Sequence, residues 1–559
     1  MFKAKLVSSL EKALIDAKID SYEQIKRLSV LRGESFSVQL FYTYERDGAD
    51  SHRYTFIPTV GGELAKYARL HNVRHVPVTV PVNPAYTDEG YIRKTQGLYP
   101  DLLTPISKDV AIYCRTDSLD SLWIEFNIPE DATLSGVFDL TVTLTRRDIP
   151  EETYTYSMQI EVINATLPEQ ELIFSQWFHC DSLANYYGVE AFSEEHWRII
   201  ENFARTAVKN GINMLLTPVF TPELDTYVGG ERLTTQLVGV NKNGNRYTYS
   251  WKLLDRWLDM CNRVGIKYFE ISHLFSQWGA EHAPKIMATV DGEYKQIFGW
   301  DTDAHGEEYK LFLRSFLKAF ITHMKKRGED SRLYFHVSDE PSVEKMESYK
   351  KSKKIVEPIL RDYPIMDALS SVEFWKKGIV KMPIPSNNHV HDFIDAGVPG
   401  LWTYYCCSQA VKVSNRFIAM PSYRTRSIGM QMYKYNIVGF LHWGYNFYNS
   451  QGSRDEIYPF IDLSGEKWVP AGDTFSVYPG MRGEALESLR ILVFKEALED
   501  IRAMRLCETF YSHETVVAAI EKVLGATLTF DRCAYTAKEM LSVREKINEM
   551  IKKAVAKNV

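Results

Sequence analysis

Two adjacent carboxylic acids, Asp339 and Glu340, follow an apolar segment at 332–338 and precede Pro341. Residue types alternate within this segment as in a strand that lines a barrel, with one apolar and one mixed face. Continuing the alternation points Glu340 to the same side as His336, and Pro341 ends the strand. Barrel enzymes hold their acid–base groups at the carboxyl ends of such strands. The pair in this position therefore predicts a catalytic site. An Asp-Glu pair by itself is also typical of an Asp that caps a helix followed by a Glu that points into solvent.

The adjacency of the two carboxyls restricts their chemistry. Common retaining glycosidases hold two carboxyls about 5–5.5 Å apart, and those groups flank the sugar. Neighbouring residues cannot easily do this, but they suit a mechanism in which a 2-acetamido group of the substrate is the nucleophile. Glu340 would then donate a proton to the leaving oxygen, while Asp339 would orient the acetamide N–H and stabilise the developing positive charge. The geometry favours a substrate-assisted N-acetylhexosaminidase.

A group of aromatic and polar residues at the predicted strand ends fits a sugar ligand. Aromatic faces suit the C–H faces of pyranose rings, and polar groups can bind hydroxyls. The high aromatic content of 13% agrees with such a role. The predicted substrate-binding residues are Trp177, His179, His273, His336, Trp402, Tyr404, Tyr405, Trp443, Tyr445 and Asn446.

These residues would be positioned by two kinds of structure in the 559-residue chain. We predict that residues 1–168 form an N-terminal β-sandwich. Apolar and polar residues alternate, as in strands, around 36–42, 140–144 and 154–162, and turn residues such as Arg46–Gly48 separate such segments. The first 20 residues carry leucines at helical spacing but could equally pair with the sandwich.

Residues 169–559 predict a (β/α)₈ barrel with a helical extension at about 484–559, because short apolar runs alternate with amphipathic helices. Two of these helices close with Gly265 and Gly328, and three more are predicted at 484–505, 513–524 and 535–556. The predicted barrel strands are 171–180, 213–220, 268–274, 332–338, 365–371, 379–385, 400–406 and 439–445.

Composition and motifs exclude several classes of function. A formal charge of −6 and the lack of a basic run argue against a nucleic-acid partner. The sequence contains no nucleophile elbow, phosphate loop or dinucleotide glycine signature. A metal at the acidic pair is disfavoured, because a strand turns His336 and Asp339 to opposite sides. We expect no metal and no cofactor.

The cellular location is predicted from the start of the chain and from its cysteines. Glu11 and Lys12 interrupt the chain before a signal peptide could form, and no run of about 18 apolar residues could span a membrane. The 7 cysteines lack metal-finger spacing and are typical of thiols in a reducing compartment. We expect a cytoplasmic protein without a membrane span, with secretion by another route left open.

The run Ser338–Pro341 at the end of an apolar strand resembles the catalytic signature of glycoside hydrolase family 123, the bacterial β-N-acetylgalactosaminidases. The resemblance covers most of the chain and includes segments 32–39, 400–405, 439–443, 478–480 and 487–490. It implies a β-sandwich followed by a (β/α)₈ barrel, with Asp339 as the polarising residue and Glu340 as the acid/base. It also implies retention of configuration and a terminal β-linked GalNAc, as on glycosphingolipid-type glycans.

Two alternatives remain open from the residues. The chain could be a glycosidase of other specificity, for β-GlcNAc or for a sugar without an acetamido group. For a sugar without an acetamido group, the nucleophile would be another carboxyl of the protein, for instance Asp181, Glu270 or Glu373. The chain could also be a catalytically silent carbohydrate-binding protein, a reading that the intact Asp339–Glu340 pair disfavours.

Overall fold

The computed structural model describes residues 1–46, 53–532 and 536–557. Part of the turn predicted at Arg46–Gly48 lies outside the described residues. Among the described residues, the first 166 positions form ten strands: β1 (Phe2–Ser8), β2 (Arg27–Arg32), β3 (Ser35–Tyr44), β4 (Arg53–Gly61), β5 (Ala68–Val78), β6 (Gly97–Pro105), β7 (Ile112–Arg115), β8 (Asp120–Asn127), β9 (Gly136–Arg146) and β10 (Thr153–Thr166).

These ten strands form two five-stranded sheets, with orders β1-β3-β8-β5-β6 and β2-β10-β9-β4-β7. Apolar side chains from both sheets form one buried cluster, for example Leu40, Ile124, Leu140 and Ile160. The strict alternation of β3, β9 and β10 produces this inward face. The start of the chain is also a strand, because β1 pairs antiparallel with β3 and sets Leu6 opposite Leu40. The helical spacing of the early leucines does not form a helix.

The rest of the described chain is mixed α/β. Its strands are β11 (Ile173–Gln176), β12 (Met214–Thr217), β13 (Gly239–Asn243), β14 (Arg246–Ser250), β15 (Tyr268–Ile271), β16 (Ile286–Val290), β17 (Glu293–Phe298), β18 (Leu333–Tyr334), β19 (Met366–Ala368), β20 (Met382–Ile384), β21 (Trp402–Tyr404), β22 (Gly439–His442), β23 (Val477–Pro479) and β24 (Ala485–Glu487). Its helices are α1 (Cys180–Tyr187), α2 (Glu194–Lys209), α3 (Lys252–Val264), α4 (Glu307–Arg327), α5 (Met346–Leu360), α6 (Glu373–Lys376), α7 (Val390–Asp395), α8 (Ser422–Arg426), α9 (Ile428–Lys434), α10 (Leu489–Glu508), α11 (His513–Leu524) and α12 (Ala537–Lys557).

Each of the eight predicted barrel segments contains a parallel strand, but the strands are short. Six of them form one sheet in the order β18-β15-β12-β11-β22-β21, and β19 pairs separately with β20. Two isolated parallel bridges, Phe335 to Ile365 and Ser386 to Tyr404, join the two sheets. Regular pairing is therefore not continuous around all eight strands.

The two faces of this strand layer differ as the sequence predicts. Leu333, Phe335 and Val337 belong to the outer core, the buried cluster shared by the strands and the surrounding helices. The opposite face lines an interior cluster of Trp177, Met214, Leu216, Leu224, Met366, Ala368, Ile384, Trp402, Tyr404, Leu441, Trp443 and Phe447. Alternation thus separates residues that hold the helices from residues that point toward the strand ends.

Glycine and serine set several helix ends. Gly265 and Gly328 follow α3 and α4 with φ of +96° and +73°, a conformation that glycine adopts without steric cost. The helix predicted at 484–505 begins later, as α10, because Ser488 caps it by accepting a hydrogen bond from the Ile491 N–H at 3.3 Å. Residues 485–487 instead form β24, paired with β23.

A buried ion pair connects the N-terminal sheets to α10. Asp101 on β6 accepts two hydrogen bonds from the Arg490 guanidinium, at 2.8 and 2.9 Å, and one from the Tyr478 hydroxyl at 2.5 Å. Both Asp101 and Arg490 are buried, so neither charge could lose its partner without a large penalty. The N-terminal sheets are thereby held against the helix that supports β11 and β22. Among the described helices, none is long and apolar enough to cross a bilayer.

Candidate active site

The acidic pair lies where the strand of β18 runs into a loop, and its backbone is held from both sides. The Asp339 carbonyl accepts a hydrogen bond from the Trp278 N–H at 2.8 Å, and the Glu340 N–H donates to the Ala368 carbonyl at 3.1 Å. Glu340 has a φ of +40°, which ends the strand alternation at this residue. Such a conformation is uncommon for glutamate, and strained backbone is often found at functional sites.

Glu340 opens onto a pocket with a volume of about 450 Å³. Its carboxylate accepts a hydrogen bond from the hydroxyl of Tyr404, which belongs to the interior cluster. The turn at Glu340 thus brings its carboxyl to the side that the alternation predicted. The remaining pocket residues are Pro341, Ser342, Val343, Leu369, Ser370, Ser371, His389, Cys406, Ser408 and Gln409.

A third carboxyl, Asp225, lies near the pair on the loop after β12. Its N–H donates to the side chain of Gln277 at 2.8 Å, and Gln277 precedes the residue that binds the Asp339 carbonyl. Among the described residues, no side chain or backbone group is hydrogen-bonded to the Asp225 carboxyl. Burial and the nearby charge of Glu340 raise the pKa of Asp225 to about 7. This loop carries no periodic signal, and sequence reasoning missed it.

The pair itself holds protons tightly. Burial raises the pKa of Asp339 well above its ordinary value; the negative charges of Glu340 and Asp225 raise it further, and the positive charge of His336 lowers it. Glu340 is exposed as a residue, but protein atoms crowd its carboxyl and raise its pKa, against the effect of the Tyr404 hydrogen bond. The pair can therefore keep an acidic proton at a pH where ordinary carboxyls have lost theirs.

Beneath the pair lies a buried chain of three charged residues, Glu270, His336 and Asp367. The Nε2 atom of His336 lies 2.7 Å from the Oε1 atom of Glu270, and its Nδ1 atom lies 3.2 Å from the Oδ1 atom of Asp367. Burial alone would lower the pKa of His336, but the hydrogen bonds to Asp367 and Glu270 raise it to about 10. His336 was predicted to bind substrate, yet it is fully buried.

Among the residues that the structure describes, two groups are close enough to be tested as metal sites, and neither fits an ion. His273 and His336 stack at 4.2 Å with an interplanar angle of 20°, so their in-plane lone pairs run nearly parallel and do not converge. Asp367, the third member, is already bonded to the Val337 N–H at 3.0 Å. In the group His71, Glu125 and Glu487, the Lys209 ammonium lies 2.9 and 2.8 Å from the two carboxylates and supplies the positive charge itself.

Four of the predicted binding residues belong to the interior cluster: Trp177, Trp402, Tyr404 and Trp443. Trp443 donates its indole N–H to Asp473 at 3.0 Å and packs at 5.5 Å against Trp468, a half-buried residue that sequence reasoning missed. Trp177 is held deeper, with its indole N–H bonded to Glu270 at 2.7 Å. Of these four residues, only Tyr404 lines the pocket beside Glu340.

The other predicted residues do not line the pocket beside Glu340. The amide of Asn446 clamps the backbone of His179, at 2.9 and 3.0 Å, and the His179 ring lies 2.9 Å from the Trp443 carbonyl. Neither ring nitrogen of His273 has a partner among the described residues, and the ring is buried. Tyr405 and Tyr445 lie in the outer core, because side chains alternate across a strand and its continuation, so the structure does not bring them to the opening.

The residues named as alternative nucleophiles are also placed away from the pocket. Asp181 is bound by the buried guanidinium of Arg232, at 2.6 and 2.9 Å. Glu270 is fully buried in the chain beneath the pair. Glu373 begins the outer helix α6 and lies 3.6 Å from Lys376. None of these three carboxyls lines the pocket beside Glu340.

The buried carboxyl of Glu223 should make the stability of the fold depend on pH. Neither of its carboxyl oxygens has a hydrogen-bond partner among the described residues. Burial raises its pKa to about 8, so the folded protein holds this proton more tightly than the unfolded chain does. Stability is then lost as the pH rises from the unfolded pKa toward 8.

Replacing Glu223 by Gln removes this titration. Between pH 5 and 8.5, we expect the wild type to lose about 2–4 kcal/mol more of its free energy of unfolding than Glu223→Gln loses. Chemical denaturation at both pH values measures this difference. Glu347→Gln, at an exposed position of α5, is the control and is expected to leave the wild-type dependence intact. Equal slopes for wild type and Glu223→Gln would show that Glu223 is ionised in the folded state.

Adjacent carboxyls with raised pKa values, set among aromatic rings at the ends of parallel strands, are typical of the site of a glycoside hydrolase. The family model described as "Glycoside hydrolase 123, catalytic domain" matches residues 177–507. Because this match covers more than half of the chain, the chain belongs to glycoside hydrolase family 123 and is a glycoside hydrolase. No curated protein sequence matches the chain.

One solved structure of this family has the fold of this chain. A family 123 glycoside hydrolase from Clostridium perfringens, studied for glycolipid glycan hydrolysis, has the same fold, with a TM-score of 0.76 over 100% of both chains at 14% identity. A family 2 member from Bacteroides cellulosilyticus has a TM-score of 0.27 and 11% identity over 74% of this chain and 44% of that chain. An endo-β-1,4-mannanase from Thermotoga petrophila has a TM-score of 0.33 and 15% identity over 60% of this chain and 77% of that chain. The last two scores are too low to indicate a shared fold.

Proposed function

We propose that this glycoside hydrolase is a retaining exo-β-N-acetylgalactosaminidase that uses the 2-acetamido group of its substrate as the nucleophile. The observation that carries the proposal is the adjacency of Asp339 and Glu340 at one strand end, both with raised pKa values. Two adjacent residues act from the same side of a sugar, which leaves the attack on the anomeric carbon to the substrate.

In the first step, Glu340 donates its proton to the leaving glycosidic oxygen. Asp339, as a carboxylate, accepts a hydrogen bond from the acetamide N–H, and the acetamide oxygen attacks the anomeric carbon. The C1–O bond to the leaving group breaks, and an oxazolinium ion forms whose positive charge Asp339 stabilises. The hydrogen bond from the acetamide N–H favours the charged form of Asp339, so substrate binding moves the shared proton toward Glu340.

In the second step, the Glu340 carboxylate accepts a proton from water as the water attacks the anomeric carbon. The C1–O bond to the acetamide oxygen breaks, and the proton returns to Glu340 for the next cycle. Two inversions give net retention. The hydrogen bond from Tyr404 holds the Glu340 carboxyl in place during both steps.

The ring of the sugar would lie against Trp443 and Trp468, whose own rings pack together at 5.5 Å. The free carboxyl of Asp225 would accept hydrogen bonds from sugar hydroxyls. Preference for GalNAc over GlcNAc rests on the family resemblance. The glycolipid glycan hydrolysis studied in the Clostridium perfringens enzyme supports a glycolipid-type glycan as the substrate.

The fold has a proposed role in this function. We propose that the parallel strands of residues 169–559 act as one (β/α)₈ barrel, because single bridges link the two parallel sheets at both edges. Residues 1–168 would form a β-sandwich domain that buttresses the barrel. The buried Asp101–Arg490 pair between the sheets and α10 supports this role.

Hydrolysis of paired aryl glycosides tests the proposed function. Purified protein is expected to cleave aryl β-GalNAc and to leave aryl β-Gal intact, with and without EDTA. Cleavage of both sugars would mean that a protein side chain is the nucleophile. Aryl β-GlcNAc is the third substrate, and a higher kcat/KM for it than for β-GalNAc would move the specificity to the alternative hexosamine. Failure to cleave any of the three would favour a binding role.

A further inference from the structure

Trp278 is the only exposed tryptophan of the chain. All 11 tryptophans belong to the described residues, and the others are buried or half-buried, whereas Trp278 is 49% exposed. Within the described ranges, its indole ring contacts no other aromatic ring, and the indole N–H has no hydrogen-bond partner. Because tryptophan combines a large apolar face with one polar N–H, this side chain is equipped to bind a ligand at the surface.

Backbone hydrogen bonds place Trp278 beside the acidic pair. Its N–H donates to the Asp339 carbonyl at 2.8 Å, and Gln277, the residue before it, accepts from the Asp225 N–H at 2.8 Å. The backbone of Trp278 has a φ of +61°, which is uncommon for a bulky residue. Strained backbone of this kind is often found where a ligand is bound. These contacts hold an exposed indole between the loops that carry Asp225 and the pair.

The residue after Trp278 packs against the segment that borders the pocket. A Cβ atom at Gly279 would lie 3.2 Å from the Lys345 side chain, so the two segments approach closely. Lys345 follows Val343 in one short 3₁₀ turn, and Val343 lines the pocket beside Glu340. Trp278 therefore lies at the rim of the site, close to both the pair and the pocket.

This position at the rim fits the part of the substrate beyond the terminal sugar. In the proposed reaction, Asp339 binds the terminal sugar, and Glu340 faces the oxygen that leaves with the rest of the glycan. The leaving group extends outward, past an indole whose flat face suits the C–H face of a pyranose ring. A second sugar would stack there, whereas an acyl chain would leave the polar side chains of the pocket without partners. These polar side chains, which can bind hydroxyls, include Ser370, Ser371 and Gln409.

We propose that Trp278 is a specificity-determining residue that stacks on the second sugar of the substrate, the sugar released as the leaving group. The enzyme then prefers a terminal sugar linked to another pyranose over the same sugar linked to a small alcohol. This inference rests on the proposed function, because it takes Glu340 as the acid that protonates the leaving oxygen. It adds the chemical class of the leaving group.

Two substrates that differ only in the leaving group test this role. One is a disaccharide with a second pyranose, and the other is the methyl β-glycoside of the same terminal sugar. That terminal sugar is the one that the wild type cleaves best among the paired aryl glycosides. Trp278→Ala is expected to lower kcat/KM for the disaccharide by about 10–30-fold and to leave the methyl glycoside within about twofold of the wild type. Trp278→Tyr keeps a flat ring and should recover most of the loss.

Binding is measured separately from turnover, in protein that carries Glu340→Gln. Calorimetry is expected to give a Kd for the disaccharide that is about 10–30-fold higher when Trp278→Ala is added. Tyr113→Ala, at a 48% exposed position on the edge strand β7, is the control and should change neither this Kd nor kcat/KM.

The two substrates and the Kd separate this inference from the proposed function. An equal loss for disaccharide and methyl glycoside, or an unchanged disaccharide Kd, in folded Trp278→Ala would overturn the inference. If Trp278→Ala slows hydrolysis of a glycolipid in phosphatidylcholine vesicles but spares the free disaccharide, the indole contacts lipid and the inference is also wrong. A wild type that cleaves β-GlcNAc or β-Gal better than β-GalNAc would contradict the proposed function alone, because the disaccharide is then built on that sugar.

Discussion

Glu340→Gln is expected to lower kcat by about 10²–10⁴-fold for substrates with poor leaving groups, such as glycans and alkyl glycosides. Gln cannot donate the proton that the leaving oxygen needs. Activated aryl glycosides with strongly acidic phenols leave without protonation, so their first step should be largely spared. The Gln side chain can still accept the hydrogen bond from Tyr404, so the fold should be preserved.

A Brønsted plot of kcat/KM against leaving-group pKa measures this effect. The slope is expected to become steeper in Glu340→Gln than in the wild type. Removing one negative charge from a crowded acidic site should not lower the thermal stability, which serves as the control for folding. An equal loss for activated and unactivated substrates would assign Glu340 a role other than the acid.

Asp339→Asn is expected to lower kcat/KM for every substrate by about 10²–10³-fold, whatever the leaving group. All substrates pass through the oxazolinium-like state, and the amide lacks the negative charge that stabilises it. Removal of a neighbouring negative charge should also lower the pKa of Glu340, so the alkaline limb of the remaining activity should move to lower pH.

Azide separates the roles of the two carboxyls. In Glu340→Gln, azide can replace the water that needs a general base, so turnover of an activated aryl glycoside should rise and a β-glycosyl azide should form. In Asp339→Asn, the intermediate itself is destabilised and azide should help little. Equal rescue of both variants would contradict this division of roles.

Much of the fold follows from local patterns in the sequence. Strict alternation located β3, β9 and β10, and helical periodicity with a closing glycine located α3 and α4. The first strand could not be predicted in this way, because β1 is stabilised by pairing with β3, whose residues lie 30 to 42 positions away along the chain. Leucines at helical spacing are not enough to form a helix where a sheet edge offers partners.

The candidate site was predicted less completely than the fold. A one-residue uncertainty at a strand end exchanges the two faces, which is why Tyr404 and Tyr405 were both predicted to bind substrate although only Tyr404 faces the pocket. Asp225 and Asp367 were missed because their roles depend on contacts with distant segments. Glu270 was named as an alternative nucleophile, and its contacts with His336 and Trp177 are visible only in the structure. The cytoplasmic location stays a prediction.

The central claim, that the substrate supplies the nucleophile, is tested most directly with aryl β-GalNAc substrates whose acetamide carries zero, one, two or three fluorine atoms. Each fluorine makes the carbonyl oxygen a weaker nucleophile while leaving the sugar and the aryl group unchanged. The proposed mechanism predicts that kcat/KM falls steeply with each added fluorine, with the trifluoroacetyl substrate slowest by several orders of magnitude. A kcat/KM that is nearly constant across the series would contradict the account and place the nucleophile on the protein.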